Sequence, residues 1–214
     1  MSCPSNQCCG TGVFFTKWSR KYAKRFQKKG LEKAQQYLLD GVRMEPLRDR
    51  TVLDIGCGVG ALHLTMLREG AQSATGIDAA EGMVQKAKEL SSALGLNGKV
   101  SYHQGDFVQL SPSLPQADVT VLDKVVCCYP DLEGLIDAST NRTKRIYGLT
   151  HPRNNLLMEG IFKLQIALLK LFRSGFHPFW HDWNRMQEMI LRKGFRIIHQ
   201  RSTLAWSVVV FQRI

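Results

Sequence analysis

Apolar residues along the chain follow two kinds of pattern: short continuous runs, and longer segments in which they recur every three or four positions. The short runs are rich in β-branched residues and predict strands at Thr51 to Ile55, Ser73 to Ile77 and Ala117 to Leu122. The longer segments between them predict helices. Two further β-rich runs, Phe195 to Arg201 and Leu204 to Phe211, are separated by a short turn. The pattern therefore predicts alternating strands and helices, followed by two consecutive strands.

The segment Val52 to Gly60 reads V-L-D-I-G-C-G-V-G and joins a predicted strand to a predicted helix. Its glycines lack a Cβ, which lets the backbone approach a ligand closely. Their G-x-G-x-G spacing differs from the G-x-G-x-x-G of dinucleotide-binding turns. Asp54, ahead of the glycines, would repel a pyrophosphate but suits a ligand with an ammonium group, such as S-adenosylmethionine (SAM). The three glycines are Gly56, Gly58 and Gly60.

Two more acidic motifs follow along the chain. Asp78 ends the G-I-D of the next predicted strand, about twenty residues beyond the glycines, where a carboxylate can bind ribose hydroxyls. A G-D-F motif spans Gly105 to Phe107. Together with D-x-G-x-G-x-G, these motifs resemble class I SAM-dependent methyltransferases from about Thr51 to the C-terminus. The resemblance implies SAM as cofactor and an α/β, Rossmann-like fold with a seven-stranded, mostly parallel sheet, an antiparallel last strand and helices on both faces.

The resemblance also implies roles for individual residues. Asp54 helps to hold the ammonium end of SAM, Asp78 binds the ribose, and Asp106 with Phe107 binds adenine. Met83 could instead be an ordinary core residue, and Asp106 could instead be a helix cap. The full predicted cofactor-binding set is Asp54, Gly56, Gly58, Gly60, Asp78, Met83, Asp106, Phe107 and Asp123.

The first 50 residues predict a helical extension of the domain at residues 51–214. From Phe14 to Lys29, aromatic residues recur at helical spacing among many lysines and arginines, and a second helix is predicted from Leu31 to Leu39 with Gly41 closing it. Two interpretations remain open. The aromatic face can pack on the core with the cations in solvent, or the segment can be a lid whose basic side meets an anionic substrate or lipid headgroups.

Composition adds limits on partners and location. The net charge of +11 indicates an acidic substrate, an anionic membrane surface or nucleic acid. The N-terminal residues lack the pattern of a secretory signal, so we expect a cytoplasmic location, compatible with peripheral contact with a membrane. The six cysteines lack a C-x-x-C pair or a spaced histidine, which predicts reduced thiols and no metal site. The role of Cys3, Cys8 and Cys9 stays open between an unstructured terminus and ligands of a soft metal ion.

The stretch L-D-K-V-V-C-C-Y-P, from Leu122 to Pro130, follows the fourth predicted strand. The N-P-P-Y, D-P-P-Y and Pro-Cys motifs of nucleic-acid methylation are absent from it, which disfavours a nucleic-acid substrate. It resembles the corresponding region of the magnesium-protoporphyrin O-methyltransferase-like group. However, Cys128 stands where that group has a histidine, and Arg25 stands where it has a tyrosine. The resemblance therefore implies the fold and not the porphyrin substrate.

The acceptor site is predicted around the ends of the fourth and fifth strands. Thr150 to Arg153 is interpreted as a loop after the strand Arg145 to Leu149, facing the same cleft. His151 could take a proton there as the catalytic base, and Arg153 could hold a carboxylate bidentately. A histidine and an arginine in a polar loop can also be simply solvated. The other predicted substrate-binding residues are Tyr22, Cys128 and Tyr129.

An apolar helical insert is predicted at about residues 155–173. Its core, Leu156 to Phe172, is apolar almost all round but too short and too charged to span a bilayer. Such a helix must be covered by the body of the domain, by a second subunit in a homodimer, by an apolar substrate or by a membrane surface.

These observations favour a SAM-dependent methyltransferase that acts on a small, apolar and acidic molecule, with O-methylation favoured. The alternative is a SAM-fold protein that binds RNA or an anionic membrane surface through its basic N-terminal helix, with weak or no methyl transfer. A dinucleotide-dependent oxidoreductase is disfavoured by the glycine spacing.

Overall fold

A computed structural model of the chain describes residues 6–171, 176 and 178–214. Cys3 and the last two residues of the predicted insert lie outside the described residues, and no side chain is described for Cys8 or Cys9. The strands are β1 (Thr51–Ile55), β2 (Ser73–Asp78), β3 (Val100–Gln104), β4 (Ala117–Leu122), β5 (Thr143–Pro152), β6 (Phe195–Ser202) and β7 (Trp206–Arg213). The helices are α1 (Asn6–Lys29), α2 (Lys33–Val42), α3 (Ala61–Arg68), α4 (Glu81–Ala93), α5 (Phe107–Leu110), α6 (Leu132–Asn141), α7 (Leu156–Leu171) and α8 (Trp183–Arg192).

The strands form one sheet in the order β3-β2-β1-β4-β5-β7-β6. The pairs among β1 to β5 are parallel, and β7 is antiparallel to both β5 and β6. The predicted α/β fold with a reversed last strand is thereby confirmed. The strand order reverses between β1 and β4, and at such a point the chain leaves neighbouring strands in opposite directions and opens a crevice at their carboxyl ends.

The sheet is covered on both faces, which explains why its central strands are continuously apolar. On β7, Val208 and Val210 belong to the cluster under α2 and α3, whereas Val209 and Phe211 belong to the cluster under α6 and α8. Side chains alternate between the faces of a strand, so each face receives every second residue. The two clusters hold the carboxyl ends of the strands in a rigid frame.

Two local predictions are corrected by packing across the sheet. Gly41 lies inside α2 and does not end the helix. A Cβ at this position would be 2.6 Å from Val210 Cγ2. The glycine therefore allows the helix to pack directly on the sheet. Strand β5 continues to Pro152, three residues beyond the predicted end. It continues because β7 pairs with it as far as Pro152 and Trp206.

Helix α1 begins at Asn6, earlier than predicted, and ends at Gly30, whose φ of 66° is left-handed. It crosses α4 closely, since the Gly82 amide donates to Thr16 Oγ1 at 3.2 Å and a Cβ at Gly82 would lie 2.8 Å from Thr16 Cγ2. In the described ranges, no helix combines the length and apolar character required to cross a membrane. Helix α1 is thus held against the domain beside the ends of β1 and β2.

Candidate active site

A cavity of about 450 Å³ lies at the carboxyl ends of β1, β2 and β4. Its floor is formed by the residues that follow these strands, and its walls include side chains of α1 and α7. The cavity brings together most of the predicted site residues. Those that line it are Asp54, Gly56, Gly58, Asp78, Met83, Asp106, Phe107, Asp123, Tyr22, Cys128 and Tyr129.

The glycine turn is tied to the end of β2. The Gly58 amide donates to Asp78 Oδ2 at 2.8 Å, and the Ala80 amide donates to Asp78 Oδ1 at 2.8 Å. The Asp78 carboxylate therefore joins the turn to the start of α4. Burial raises the pKa of Asp78 from its ordinary value of 3.8 to about 6, although the two amide donors oppose the shift. All three glycines have left-handed φ angles of 54° to 85°, which only glycine adopts readily.

Asp54 is held by a buried network that the sequence analysis missed. The fully buried His63 places Nδ1 2.8 Å from Asp54 Oδ2 and Nε2 2.9 Å from the Tyr102 hydroxyl oxygen. The Tyr102 hydroxyl donates to the Ala87 carbonyl at 3.2 Å. This chain of contacts fixes one carboxylate oxygen of Asp54 beside the cavity. The sequence feature that could have indicated this network is His63, a polar residue among the apolar residues at the start of α3.

Asp106 lines the cavity at the start of α5, where it is the N-cap of the helix. Its Oδ1 accepts hydrogen bonds from the Val108 amide at 2.9 Å and from the Tyr129 hydroxyl at 2.7 Å. Met83 and Phe107 are almost completely buried in the core clusters. Asp106 is thus a helix cap and Met83 a core residue, as the alternative interpretations allowed, while both also line the cavity.

Comparisons with known proteins find similarity to methyltransferases. Residues 52–145 match the family described as a methyltransferase domain. An uncharacterized protein of Haemophilus influenzae is 26% identical over 87% of this chain and 67% of its own length. The ubiquinone biosynthesis O-methyltransferase of Neisseria meningitidis is 29% identical over 65% of this chain, which spans only 58% of that relative's length.

Solved structures of the magnesium protoporphyrin IX methyltransferase from Synechocystis PCC 6803 share the fold. The one with bound SAM covers 100% of both chains with a TM-score of 0.72 at 17% identity. The one with bound S-adenosylhomocysteine covers 85% of this chain and 82% of that one, with a TM-score of 0.68 at 21% identity. Residues 52–145 thus match a methyltransferase domain, and the chain shares the fold of these SAM-binding methyltransferase structures.

The opposite side of the methyltransferase cavity holds a charged cluster at the end of β4. Asp123 accepts hydrogen bonds from Thr150 Oγ1 at 2.8 Å and from Gln35 Nε2 at 2.9 Å. Burial raises the pKa of Asp123, and neighbouring Lys124 offsets part of the shift. Asp123, predicted as a cofactor ligand, is therefore bonded to α2 and β5, and Gln35 is a cavity residue that the sequence analysis missed.

Lys124 is the second missed residue of this cluster. Its Nζ forms an ion pair with Glu32, whose other carboxylate oxygen lies 3.3 Å from Arg25 Nη1. Burial alone would lower the pKa of Lys124, but Asp123 and Glu32 beside it raise the pKa above its ordinary value. Its backbone φ of 60° is left-handed, an unusual conformation for a residue other than glycine. Sequence spacing could not reveal this cluster because Glu32 and Lys124 are far apart in the chain.

Aromatic side chains from α1 and α7 line the part of the cavity near the charged cluster. Tyr22 and Phe26 come from α1 and Phe162 comes from α7. The Phe14 ring stacks on Phe176, with ring centroids 5.0 Å apart. Burial raises the pKa of the Tyr22 hydroxyl, so this group is neutral at pH 7. Most of the side chains that α1 and α7 contribute to this part of the cavity are aromatic or aliphatic.

Cys128 lies in the cavity wall, with its Sγ 3.4 Å from the Lys124 carbonyl oxygen. The adjacent Cys127 thiol and burial both raise the pKa of Cys128, which keeps it a neutral thiol. In the described part of the chain, no three His, Cys, Asp or Glu side chains lie close enough to hold a metal ion.

The predicted position of His151 is wrong. It lies within β5, only 2% exposed, and its ring stacks on Trp183 with centroids 5.2 Å apart. Burial lowers the pKa of His151, and it does not line the cavity. Arg153 is also outside the cavity, in an exposed position after β5. The physical reason is the extension of β5, which turns the predicted loop into a strand that β7 covers.

Proposed function

We propose that this chain transfers the methyl group of SAM to an oxygen atom of a small, apolar molecule that carries an acidic group. The observation that carries the proposal is the continuity of the cavity. It joins the glycine turn and its acidic residues to an aromatic chamber that contains two cations, Arg25 and Lys124. A methyl donor and an apolar acid can therefore meet within one enclosed space.

For the cofactor, the proposed roles are assigned to the carboxylates that line the cavity. Asp54 and the glycine turn hold the ammonium end of SAM, Asp78 accepts from the ribose hydroxyls, and Asp106 accepts from the adenine amino group. The hydrogen bonds from His63 to Asp54 and from Gly58 and Ala80 to Asp78 support these roles. They orient the carboxylates before SAM binds, so less ordering is needed on binding.

On the acceptor side, Lys124 is proposed to pair with the acidic group of the acceptor. Glu32 now pairs with both Lys124 and Arg25, so an acceptor carboxylate can replace it at one cation while the other ion pair remains. Tyr22, Phe26 and Phe162 supply apolar surface for the rest of the molecule. Helix α1 would act as the lid of this chamber.

The main catalytic contribution required of the protein is to position the methyl donor and the acceptor. The acceptor oxygen attacks the methyl carbon in line as the carbon–sulfur bond breaks, and the bonding electron pair returns to sulfur, which loses its positive charge. Positioning of this kind can contribute on the order of 7 to 11 kcal/mol. A carboxylate acceptor needs no base at neutral pH. For a phenol, the buried Asp123, with its raised pKa, is better placed than His151 to take the proton.

The proposed function is tested with isotope-labelled SAM and pairs of aromatic or long-chain acids and their amides. We expect label in the acids only, as esters that release labelled methanol in alkali. Lys124→Met should raise the KM for the acid about tenfold or more, because an ion pair is lost, and leave the Kd for SAM unchanged. Lys99→Met, at an exposed lysine, is the matched control. Equal labelling of acid and amide, or an unchanged KM in Lys124→Met, would contradict the proposed acceptor class.

The pKa of Asp78 predicts how SAM affinity depends on pH. In the SAM-free protein this carboxyl is protonated below about pH 6 and must lose its proton to accept from both ribose hydroxyls. Binding should therefore weaken as the pH falls through 6 and be about tenfold weaker at pH 5 than at pH 7. Isothermal titration calorimetry across this range measures the effect. Asp78→Asn cannot titrate, so a slope that persists unchanged in this variant would assign the effect to another group.

A further inference from the structure

Helix α7 presents an apolar row to solvent. The row consists of Leu157, Ile161, Leu164, Leu168 and Leu171, spaced as one face of a helix and 45% to 74% exposed. We call it the leucine row. Different residues of the same helix, Phe162, Gln165 and Leu169, line the cavity. The body of the domain therefore covers one side of α7 and leaves the leucine row without a partner in the described residues.

Helix α1 carries a second exposed row, made of cations. Lys17, Lys21, Lys24 and Lys28 recur at helical spacing and are all exposed. We call them the lysine row. Trp18 and Tyr22 flank it and are 41% exposed each, and Lys21 Nζ lies 4.7 Å from the centre of the Trp18 ring. Amphipathic aromatic rings next to lysines are typical of segments that lie at a lipid–water boundary.

The two rows belong to helices that share one cavity. Phe14 and Tyr22 of α1 and Phe162 and Leu169 of α7 line the same space at the carboxyl edge of the sheet. Both helices therefore border the cavity at the carboxyl edge of the sheet.

We propose that these two rows form a surface that binds an anionic lipid bilayer at its interface. Lysines attract acidic headgroups, and an exposed apolar helix face gains free energy when it enters the boundary between headgroups and acyl chains. A second copy of the chain fits less well, because each copy carries a net charge of +11 and the two copies would repel each other. The proposal concerns this surface alone and does not depend on the identity of the methyl acceptor.

The test is vesicle co-sedimentation of the full chain without SAM or acceptor. One vesicle type is phosphatidylcholine, and the other is phosphatidylcholine mixed with phosphatidylglycerol. We expect binding to the anionic vesicles only, reduced by added salt. Replacing Lys17, Lys21 and Lys24 by glutamine should lower partitioning on the order of 100-fold. Leu164→Gln with Leu168→Gln should lower it at least about tenfold.

Control variants distinguish binding through this surface from effects of total charge, of exposed apolar area and of unfolding. Leu94→Gln and Lys99→Gln change exposed residues after the end of α4 and before the start of β3, and they should bind vesicles like the unchanged chain. SAM binding by calorimetry should be the same in every variant, which shows that each is folded and keeps the cofactor site. Three results would overturn the proposal: equal binding to neutral vesicles, no loss in either row variant, or a dimer in sedimentation velocity that the leucine variant abolishes. Loss of methyl transfer with intact vesicle binding would count against the proposed function only.

Discussion

Asp78→Ala is expected to weaken SAM binding on the order of 100-fold or more, because charge-assisted hydrogen bonds to two ribose hydroxyls are lost together. Asp78 is the carboxylate that also receives the Gly58 and Ala80 amides at 2.8 Å each. Its removal therefore frees the glycine turn from β2 as well as deleting the ligand contact. Isothermal titration calorimetry with SAM measures the change in Kd directly.

The interpretation of Asp78→Ala depends on separating lost contacts from lost structure. Asp78→Asn keeps an acceptor oxygen for one amide but turns its NH2 group towards the other, so it should unfold at a lower temperature without SAM, and less so than Asp78→Ala, while still binding SAM weakly. Asp40→Ala, at an exposed aspartate on α2, is the matched control and should bind SAM normally. If Asp78→Ala bound SAM as tightly as the unchanged chain, the ribose assignment would be wrong.

Gly60→Ala is expected to lower the free energy of unfolding by about 2 to 5 kcal/mol. Two causes add. The φ of 85° at Gly60 is left-handed, and a Cβ there would lie 2.8 Å from His63 Nε2. His63 cannot move aside freely because it is fully buried between Asp54 and Tyr102. Chemical denaturation monitored by fluorescence gives the change, and SAM affinity should fall with it because Asp54 loses its support.

The matched control for Gly60→Ala is Gly95→Ala. Gly95 also has a left-handed φ, of 68°, but a Cβ there would meet no atom within 4 Å. Gly95→Ala should therefore show only the backbone part of the effect, about 1 to 2 kcal/mol, with SAM binding intact. If both variants lost the same stability and both kept SAM affinity, the clash with His63 would have no consequence and the proposed role of the His63 network would fail.

The residues proposed to bind the cofactor lie in short sequence motifs. A strand, a glycine turn and a helix occupy consecutive residues from Thr51 to Arg68, and Asp78 follows at the end of the next strand. Their chemistry depends on backbone conformations that only particular residues allow, such as the left-handed glycines. Parallel strands also bring their carboxyl ends to one edge. For these reasons the fold and the residues around the turn could be predicted before any coordinates.

The acceptor half depends on contacts between distant parts of the chain. Glu32 pairs with Lys124 and Gln35 donates to Asp123, and no spacing in the sequence predicts either contact. The contact between His63 and Tyr102 behind Asp54 is also between residues distant in sequence. The misplacement of His151 has the same origin, since its burial follows from how far β7 pairs along β5.

The sequence by itself determined the glycine turn and the alternation of strands and helices, and hence the fold, because neighbouring residues set backbone conformation and burial pattern. The tertiary structure alone decided which charged side chains from distant parts of the chain line the cavity, and it left the leucine row of α7 exposed. Those outcomes depend on how the helices pack over the sheet edge. Such packing is the sum of many weak, long-range contacts and is not carried by any single motif.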